Sequence, residues 1–246
     1  MDSIFAQDYK NFIVHVFDDC STDGTQNKLS QLQLKWGSNL KIYRNVERQG
    51  SGSASILHQK PKLEGEFWAL VEGDDFWVQE NKLTQQVSIL RSTSRAVAVA
   101  SKTEMRNLVS GEVSVIEPDV TEWNYYDLIL NSNRFRHYVH ISSILWRNSY
   151  QNTLFPSQYT KVNAMRGEVI LVHEILKDTK GSIILYDEIT SVYRYTGKGI
   201  WSELTEEQQF QLNKDLDAKI ESMRPAWVKI ASRLGLSRIL NSKSLN

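Results

Sequence analysis

Two short apolar runs in this chain each stop against a group of acids, and that repeated arrangement constrains the fold more than any other feature. Phe12 to Phe17 is apolar except for His15 and meets Asp18-Asp19; Phe67 to Val71 meets Glu72, Asp74 and Asp75. Runs this short, closed by turn residues, predict strands buried on both faces, as in a parallel sheet. Ser21 to Gly24 reads as a loop capping a helix that reaches Trp36, and Leu40 to Tyr43 reads as a second strand. A further helix is expected after the small, polar stretch Gln49–Ser55. Lys82 to Leu90 has helical spacing, with Leu83, Val87 and Leu90 on one face, and Ala96 to Ala100 follows as a strand. Strands alternating with helices predict an α/β fold with right-handed crossovers. Ligands of such folds gather beyond the carboxyl ends of the strands, where both acid groups fall.

Past residue 110 the pattern loosens. Thr121 to Leu130 reads as a helix capped by Thr121, Tyr138 to Trp146 as a strand and Glu168 to Leu176 as a helix. Ile183 to Tyr186 and Ile189 to Tyr195 read as two short strands, and the chain after Trp201 as helical, broken at Pro225. No Gly/Pro-rich linker divides it, so one domain over residues 1–205 and a helical tail over 206–246 are expected.

Charge and cysteine usage narrow the setting. Twenty-nine basic residues balance twenty-nine acidic ones, which argues against nucleic acid as a partner. The lone Cys20 suits a reducing compartment, no apolar run reaches the roughly 18–20 residues of a membrane span, and Met1-Asp2-Ser3 does not open a leader. A cytoplasmic location follows as the expectation. The tail sets Arg224, Lys229, Arg233, Arg238 and Lys243 beside Trp227, Ile230, Leu234 and Ile239. Packing on the domain is the commoner fate of such a stripe; the alternative is peripheral contact with the inner face of a membrane.

Carboxylates gathered at a strand end repel one another unless a cation sits among them. Open oxygen ligands suit Mg²⁺ or Mn²⁺, which in turn hold a diphosphate. For one acid pair alone a solvated capping loop is an equal reading; two pairs at strand ends favour the cation. Gly50-Ser51-Gly52-Ser53 lacks the Lys-Ser/Thr ending of a phosphate loop. His15 reads as a packed neutral ring. His137 and His140 lack the spacing of a zinc pair. His140 is weighed as an acceptor-facing group against an ordinary polar residue near a strand end. Trp201 reads as buried packing rather than a platform for a sugar.

Asp18-Asp19-Cys20-Ser21-Thr22-Asp23-Gly24-Thr25 is nearly Asp-Asp-Gly-Ser-Thr-Asp-Gly-Thr. With Glu64-Gly65-Glu66 leading to Glu72-Gly73-Asp74-Asp75-Phe76-Trp77, then Lys82-Leu83 and Gln86, it resembles the family 2 glycosyltransferases of the GT-A fold. Tyr193-Arg194-Tyr195 with Gly199-Ile200-Trp201-Ser202 is similar to a tail segment of bacterial members, so the likeness covers roughly residues 3–205. It implies a Rossmann-like, mostly parallel sheet flanked by helices, an α/β fold. The segment from Ser3 matches what precedes the family's second strand, which implies that the first strand is missing. It also implies a nucleotide-sugar donor, most simply a UDP-sugar, and a saccharide or lipid-linked acceptor in bacterial surface glycan assembly. By position Asp19 would bind the nucleotide base, Asp74 would sit near the ribose and metal, and Asp75 would hold Mn²⁺ or Mg²⁺. Glu72 would stand behind that cation or share it. Arg194 and Lys198 would close over the diphosphate, with a solvated loop as the equal reading. Arg166-Gly167-Glu168 occupies the place of the family's acid after glycine, which makes Glu168 the implied base of an inverting transfer; the family has Asp there, one methylene shorter. Cys20 replaces a family glycine and has no partner base that would make it a nucleophile. The alternative function is a non-catalytic relative that binds a nucleotide sugar weakly or serves as a partner subunit. A sugar-phosphate nucleotidyltransferase would require a Gly-rich N-terminal signature that the chain lacks.

Overall fold

The computed structural model describes residues 1–48, 65–118, 120–130, 139–148, 167–199, 202–223 and 225–226. Within them the chain forms two sheets flanked by helices. The first joins β1 (Val14–Asp18) to β2 (Leu40–Arg44) in parallel, with Val14 opposite Leu40 and Asp18 opposite Arg44. Helix α2 (Thr25–Trp36) makes the crossover such a pair requires, after Gly24 at φ +86° and before Gly37 at φ +56°. Its Leu29 and the strand residue Leu40 are buried. β1 itself is only half-buried, and Asp18 at its end is its one buried residue, so the apolar run faces solvent more than its composition predicts.

The second sheet has seven strands. β3 (Phe67–Ala69), β8 (Leu145–Arg147), β5 (Ala96–Asn107), β9 (Ser182–Tyr195) and β4 (Phe76–Trp77) lie side by side in that order, with β6 (Val113–Ile116) on β5 and β7 (Glu122–Asn124) on β9. The expected parallel pairing is found in β1–β2 and in β5–β9, and the other pairs are antiparallel. β5 and β6 illustrate the cause: their connection is too short for a crossover, and only an antiparallel return fits it. β5 is the centre of the fold. Val97, Ala98 and Ala100 pack with Trp123, Trp146, Ile183 and helix α5 (Gly167–Thr179). Ala96 and Val99 pack with Trp77, Leu145 and helix α3 (Lys82–Ser92).

A short N-terminal segment ties the two sheets together. Phe5 of α1 (Asp2–Phe5) stacks on Trp36 with ring centroids 3.8 Å apart. Buried Gln7 donates to Gln79 O at 2.7 Å, and its Oε1 accepts from Leu83 N at 3.0 Å, capping α3 from a distance. Asp8 N donates to Glu80 O at 2.8 Å, and Thr84 Oγ1 donates to Asp8 Oδ1 at 2.6 Å.

Several local expectations change. Thr121–Leu130 is not one helix. Glu122–Asn124 pairs with β9 as β7, burying Trp123, and α4 (Tyr125–Leu130) starts only after it. Asn124, not Thr121, caps that helix, its Oδ1 accepting from Tyr126 N at 2.8 Å. The two short strands expected after Ile183 are one long strand, whose slips of register against β5 disguise it as two. The strand expected from Tyr138 begins only at Leu145, behind a 3₁₀ turn over Ile141–Ser143. Helix α6 (Glu206–Met223) follows β9, and no helix among the described residues is long and apolar enough to cross a membrane. The helix expected after Ser55, Gly50–Ser53, His137, Arg166, Trp201, Arg224 and the rest of the basic stripe beyond Ala226 lie outside the described residues.

Candidate metal and nucleotide site

Asp75 is where the fold and the acids meet. It closes a turn, its N–H donating to Glu72 O at 3.1 Å, just before β4 runs against β9. Its side chain is fully buried. Ser142 Oγ donates to Asp75 Oδ2 at 2.7 Å and Arg194 N donates to Oδ1 at 3.2 Å. Burial dominates these bonds and pushes the carboxyl up to about 6; the neighbouring Asp74 carboxylate adds to the rise.

His140 is brought beside it from far along the chain. Its Nδ1 lies 3.5 Å from Asp75 Oδ2 and its Nε2 lies 3.6 Å from Glu72 Oε2. The ring stacks on Tyr193 at 4.6 Å between centroids, and Ser142 N donates to Nδ1 at 3.4 Å. Burial pushes the imidazole down to about 4, so near neutral pH it is uncharged and keeps a lone pair to give. Glu72, Asp75 and His140 each offer one ligand atom within 4.8 Å of the others. Two carboxylates and a neutral imidazole are a donor set that a divalent ion accepts, and Mn²⁺ tolerates the nitrogen better than Mg²⁺.

The expected residues divide. Asp75 joins this group and Glu72 shares it, whereas Asp74 is exposed and does not join. Arg194 grips the acid loop, its Nε donating to Asp74 O, so part of its guanidinium binds backbone. Lys198 is exposed beyond the end of β9, in a bend where its N–H donates to Thr196 Oγ1 at 3.3 Å. Glu168 lies in the first turn of α5, with its side chain outside the described atoms.

At the end of β1 the acids differ in their engagement. Asp19 accepts from Asn45 Nδ2 at 2.8 Å. Asp18 is the buried one: its Oδ1 accepts from Ser21 N at 3.1 Å, and its Oδ2 is buried without a protein hydrogen bond. Cys20 stands at φ +64°, the left-handed region where a glycine carries no penalty. Asp23 Oδ1 accepts from Thr25 N and Oγ1 at 3.2 and 2.7 Å, which lowers its pKa and starts α2. Sequence reasoning missed Ser142 altogether, and it weighed His140 only as an acceptor-facing group, not as a neighbour of Asp75 and Glu72. Their only local signal is a polar cluster interrupting an apolar stretch.

The chain as a whole is similar to known proteins. Residues 1–157 match the model of the glycosyl transferase family 2. The Mycobacterium tuberculosis protein Rv1520 is 25% identical over 84% of this chain and 57% of its own length. The putative glycosyltransferase EpsE of Bacillus subtilis is 31% identical over 37% of the chain and 32% of its own length. Staphylococcus aureus TarS 1-349, solved with UDP-GlcNAc, superposes with a TM-score of 0.62 at 16% identity, over 89% of this chain and 60% of that one. The mannosyltransferase PcManGT from Pyrobaculum calidifontis, solved with GDP-Man and Mn²⁺, gives 0.58 at 19% identity, over 80% and 52%. The chain thus spans less than two thirds of the length of these relatives. With a family match over most of its length and a GT-A fold around the acid loops, this chain belongs to the glycosyl transferase family 2.

Proposed function

We propose that the protein is a divalent-metal-dependent glycosyltransferase. In this reading it moves a sugar from a nucleoside-diphosphate donor, most simply a UDP-sugar, to a hydroxyl of a saccharide or lipid-linked acceptor in bacterial surface glycan synthesis. The observation that carries the reading is the buried Asp75 flanked by Glu72 and His140 within 4.8 Å. When bound there, a cation neutralises the charge that grows on the departing diphosphate. Glu72, Asp75 and His140 would hold it, with Mn²⁺ or Mg²⁺ as the ion. Asp19, with the unpartnered oxygen of Asp18 beside it, would receive donors from the nucleobase. Asp74 would stand near the ribose, and Arg194 and Lys198 near the diphosphate. Glu168 would take the proton of the acceptor hydroxyl as its oxygen bonds to the anomeric carbon. The bond to the diphosphate oxygen breaks on the opposite face, and configuration inverts. Residues 1–205 form the transferase unit in this reading and residues 206–246 a helical extension; the start of α6 at Glu206 supports the division. The work would be done in the cytoplasm, with membrane contact through the basic tail as the route to a lipid-linked acceptor.

Calorimetric titration of UDP into the chain, with Mn²⁺ and with chelator, tests the reading. Binding that depends on the metal supports it, and absence of binding under both conditions removes the nucleotide site. Glu168→Gln should spare that binding and stop transfer; full activity in that variant would move the base elsewhere.

A further inference from the structure

Beneath the Glu72–Asp75–His140 group runs a buried hydrogen-bond chain that the proposed function leaves unused. Lys82, in the first turn of α3, is fully buried, with its Nζ 2.6 Å from Gln86 Oε1 and 4.5 Å over the Trp77 ring. An amide NH₂ cannot accept that bond, so the amine decides which way the Gln86 carboxamide faces. With Oε1 turned to Lys82, Gln86 Nε2 donates to Ser143 O at 2.8 Å and to Val99 O at 3.3 Å. Trp77 Nε1 donates to Ser142 O at 2.8 Å, and Ser101 Oγ to Ser143 O at 3.4 Å. Side chains from α3, β4 and β5 therefore grip the Ile141–Ser143 turn from below. The same turn presents Ser142 Oγ to Asp75 and carries His140 at its start. Gln86, Ser142 and Ser143 are all 0% exposed, so no water substitutes for a lost partner without repacking.

We propose that Gln86, oriented by Lys82 and assisted by Trp77, is a positioning residue that holds the Ile141–Ser143 turn so that His140 stands beside Asp75 and Glu72. The inference rests on reading those three residues as a cation site. A ligand set split between the acid loop and a remote turn keeps its spacing only while both are fixed, and groups behind metal ligands commonly set affinity in this way. α3 supplies the fixing element because Lys82 and Gln86 lie one helical turn apart on its buried face.

Mn²⁺ alone, titrated into the full chain and read by electron paramagnetic resonance well below the melting temperature, tests the proposal. Gln86→Leu and Trp77→Phe are each expected to weaken Mn²⁺ binding by about 10–100-fold. Gln86→Glu retains the shape and a partner for Lys82 but cannot donate to Ser143 O. It should lose affinity as Gln86→Leu does, and it carries the test should the leucine variant not fold. In a Ser142→Ala background the Gln86 substitution should add little further loss, because both act through one turn. Leu29→Ala, a cavity under the β1–β2 sheet, should leave Mn²⁺ affinity within about twofold. Unchanged Mn²⁺ binding in the Gln86 and Trp77 variants overturns the proposal, as does an equal loss in Leu29→Ala. An unmodified chain that binds no Mn²⁺ overturns the cation site and the proposal together; binding by that chain with indifferent variants overturns the positioning alone.

Discussion

Asp75 is held in a surrounding that opposes its own charge. Burial raises its carboxyl to about 6, against about 3.9 in an unfolded chain, so the fold favours the protonated form. The sign follows. The metal-free protein has this contribution in full below about pH 4 and loses it as pH rises through about 6. Asp75→Asn keeps an acceptor for Ser142 or Arg194 and removes the buried charge. It should therefore melt no lower than the parent at pH 7.5 in chelator, while Mn²⁺ binding disappears; a lower melting point would show that the charge is already compensated by the protein. A proton and a cation compete for the same carboxylate, so Mn²⁺ affinity in the parent should fall about tenfold per pH unit below about 6. Cys20 illustrates the opposite kind of cost. At φ +64° it strains the loop between the two acids and α2, where the resembling motif has glycine. Cys20→Gly should stabilise the protein by about 1 kcal/mol, read from urea unfolding, with no change in metal binding.

Elements place these residues through register. β9 delivers Arg194 N to Asp75 and Tyr193 to His140, and its alignment with β5 is set where the strand begins. There Lys180 takes φ +54°, and Gly181 lies so close to β5 that an added Cβ would stand 2.5 Å from Val97 Cγ1 and 2.7 Å from Arg95 O. The second of these is backbone and cannot swing away. Gly181→Ala should cost about 1–3 kcal/mol and lower the melting temperature by roughly 3–10 °C in differential scanning calorimetry. What was readable in the sequence follows the same division between local and remote. The runs ending at Asp18 and Val71, and the helices ending near Trp36 and Leu90, announce themselves because their periodicity and caps are contiguous. The acid group around Asp75 was legible for the same reason. His140 was not, because its relation to Asp75 exists only through pairing of β8 with β3 and β5, and 67 residues separate Ser142 from Asp75. Trp123 misled in another way: Glu122–Asn124 sits in a helix-like pattern, and only the edge of β9 makes it a strand.

At the scale of the whole molecule, the proposed site is divided between two sheets. The cation group stands entirely on the seven-stranded sheet and its loops, while Asp18 and Asp19 end a strand of the two-stranded one. A donor that contacts both must find them at a fixed separation. The N-terminal segment supplies much of that constraint, with Phe5 stacked on Trp36 and Gln7 bridging Gln79 O and Leu83 N. Gln7→Ala strips the buried Leu83 N–H and the part-buried Gln79 carbonyl of their partner and should destabilise the protein by about 1–3 kcal/mol. Its effect on ligands should be uneven. Mn²⁺ alone, seeing one sheet, should bind within about twofold of the parent, since the substituted side chain touches none of the three ligands. UDP with Mn²⁺ should bind about tenfold more weakly, because the variant must first hold the two sheets in register before the nucleoside and the diphosphate are both met. Calorimetry of the two titrations on the same variant makes the comparison. Equal losses for metal and nucleotide would mean that Gln7 supports the cation loop rather than the alignment of the sheets. No loss for either would mean that the Phe5–Trp36 stack suffices to keep the two halves of the site together.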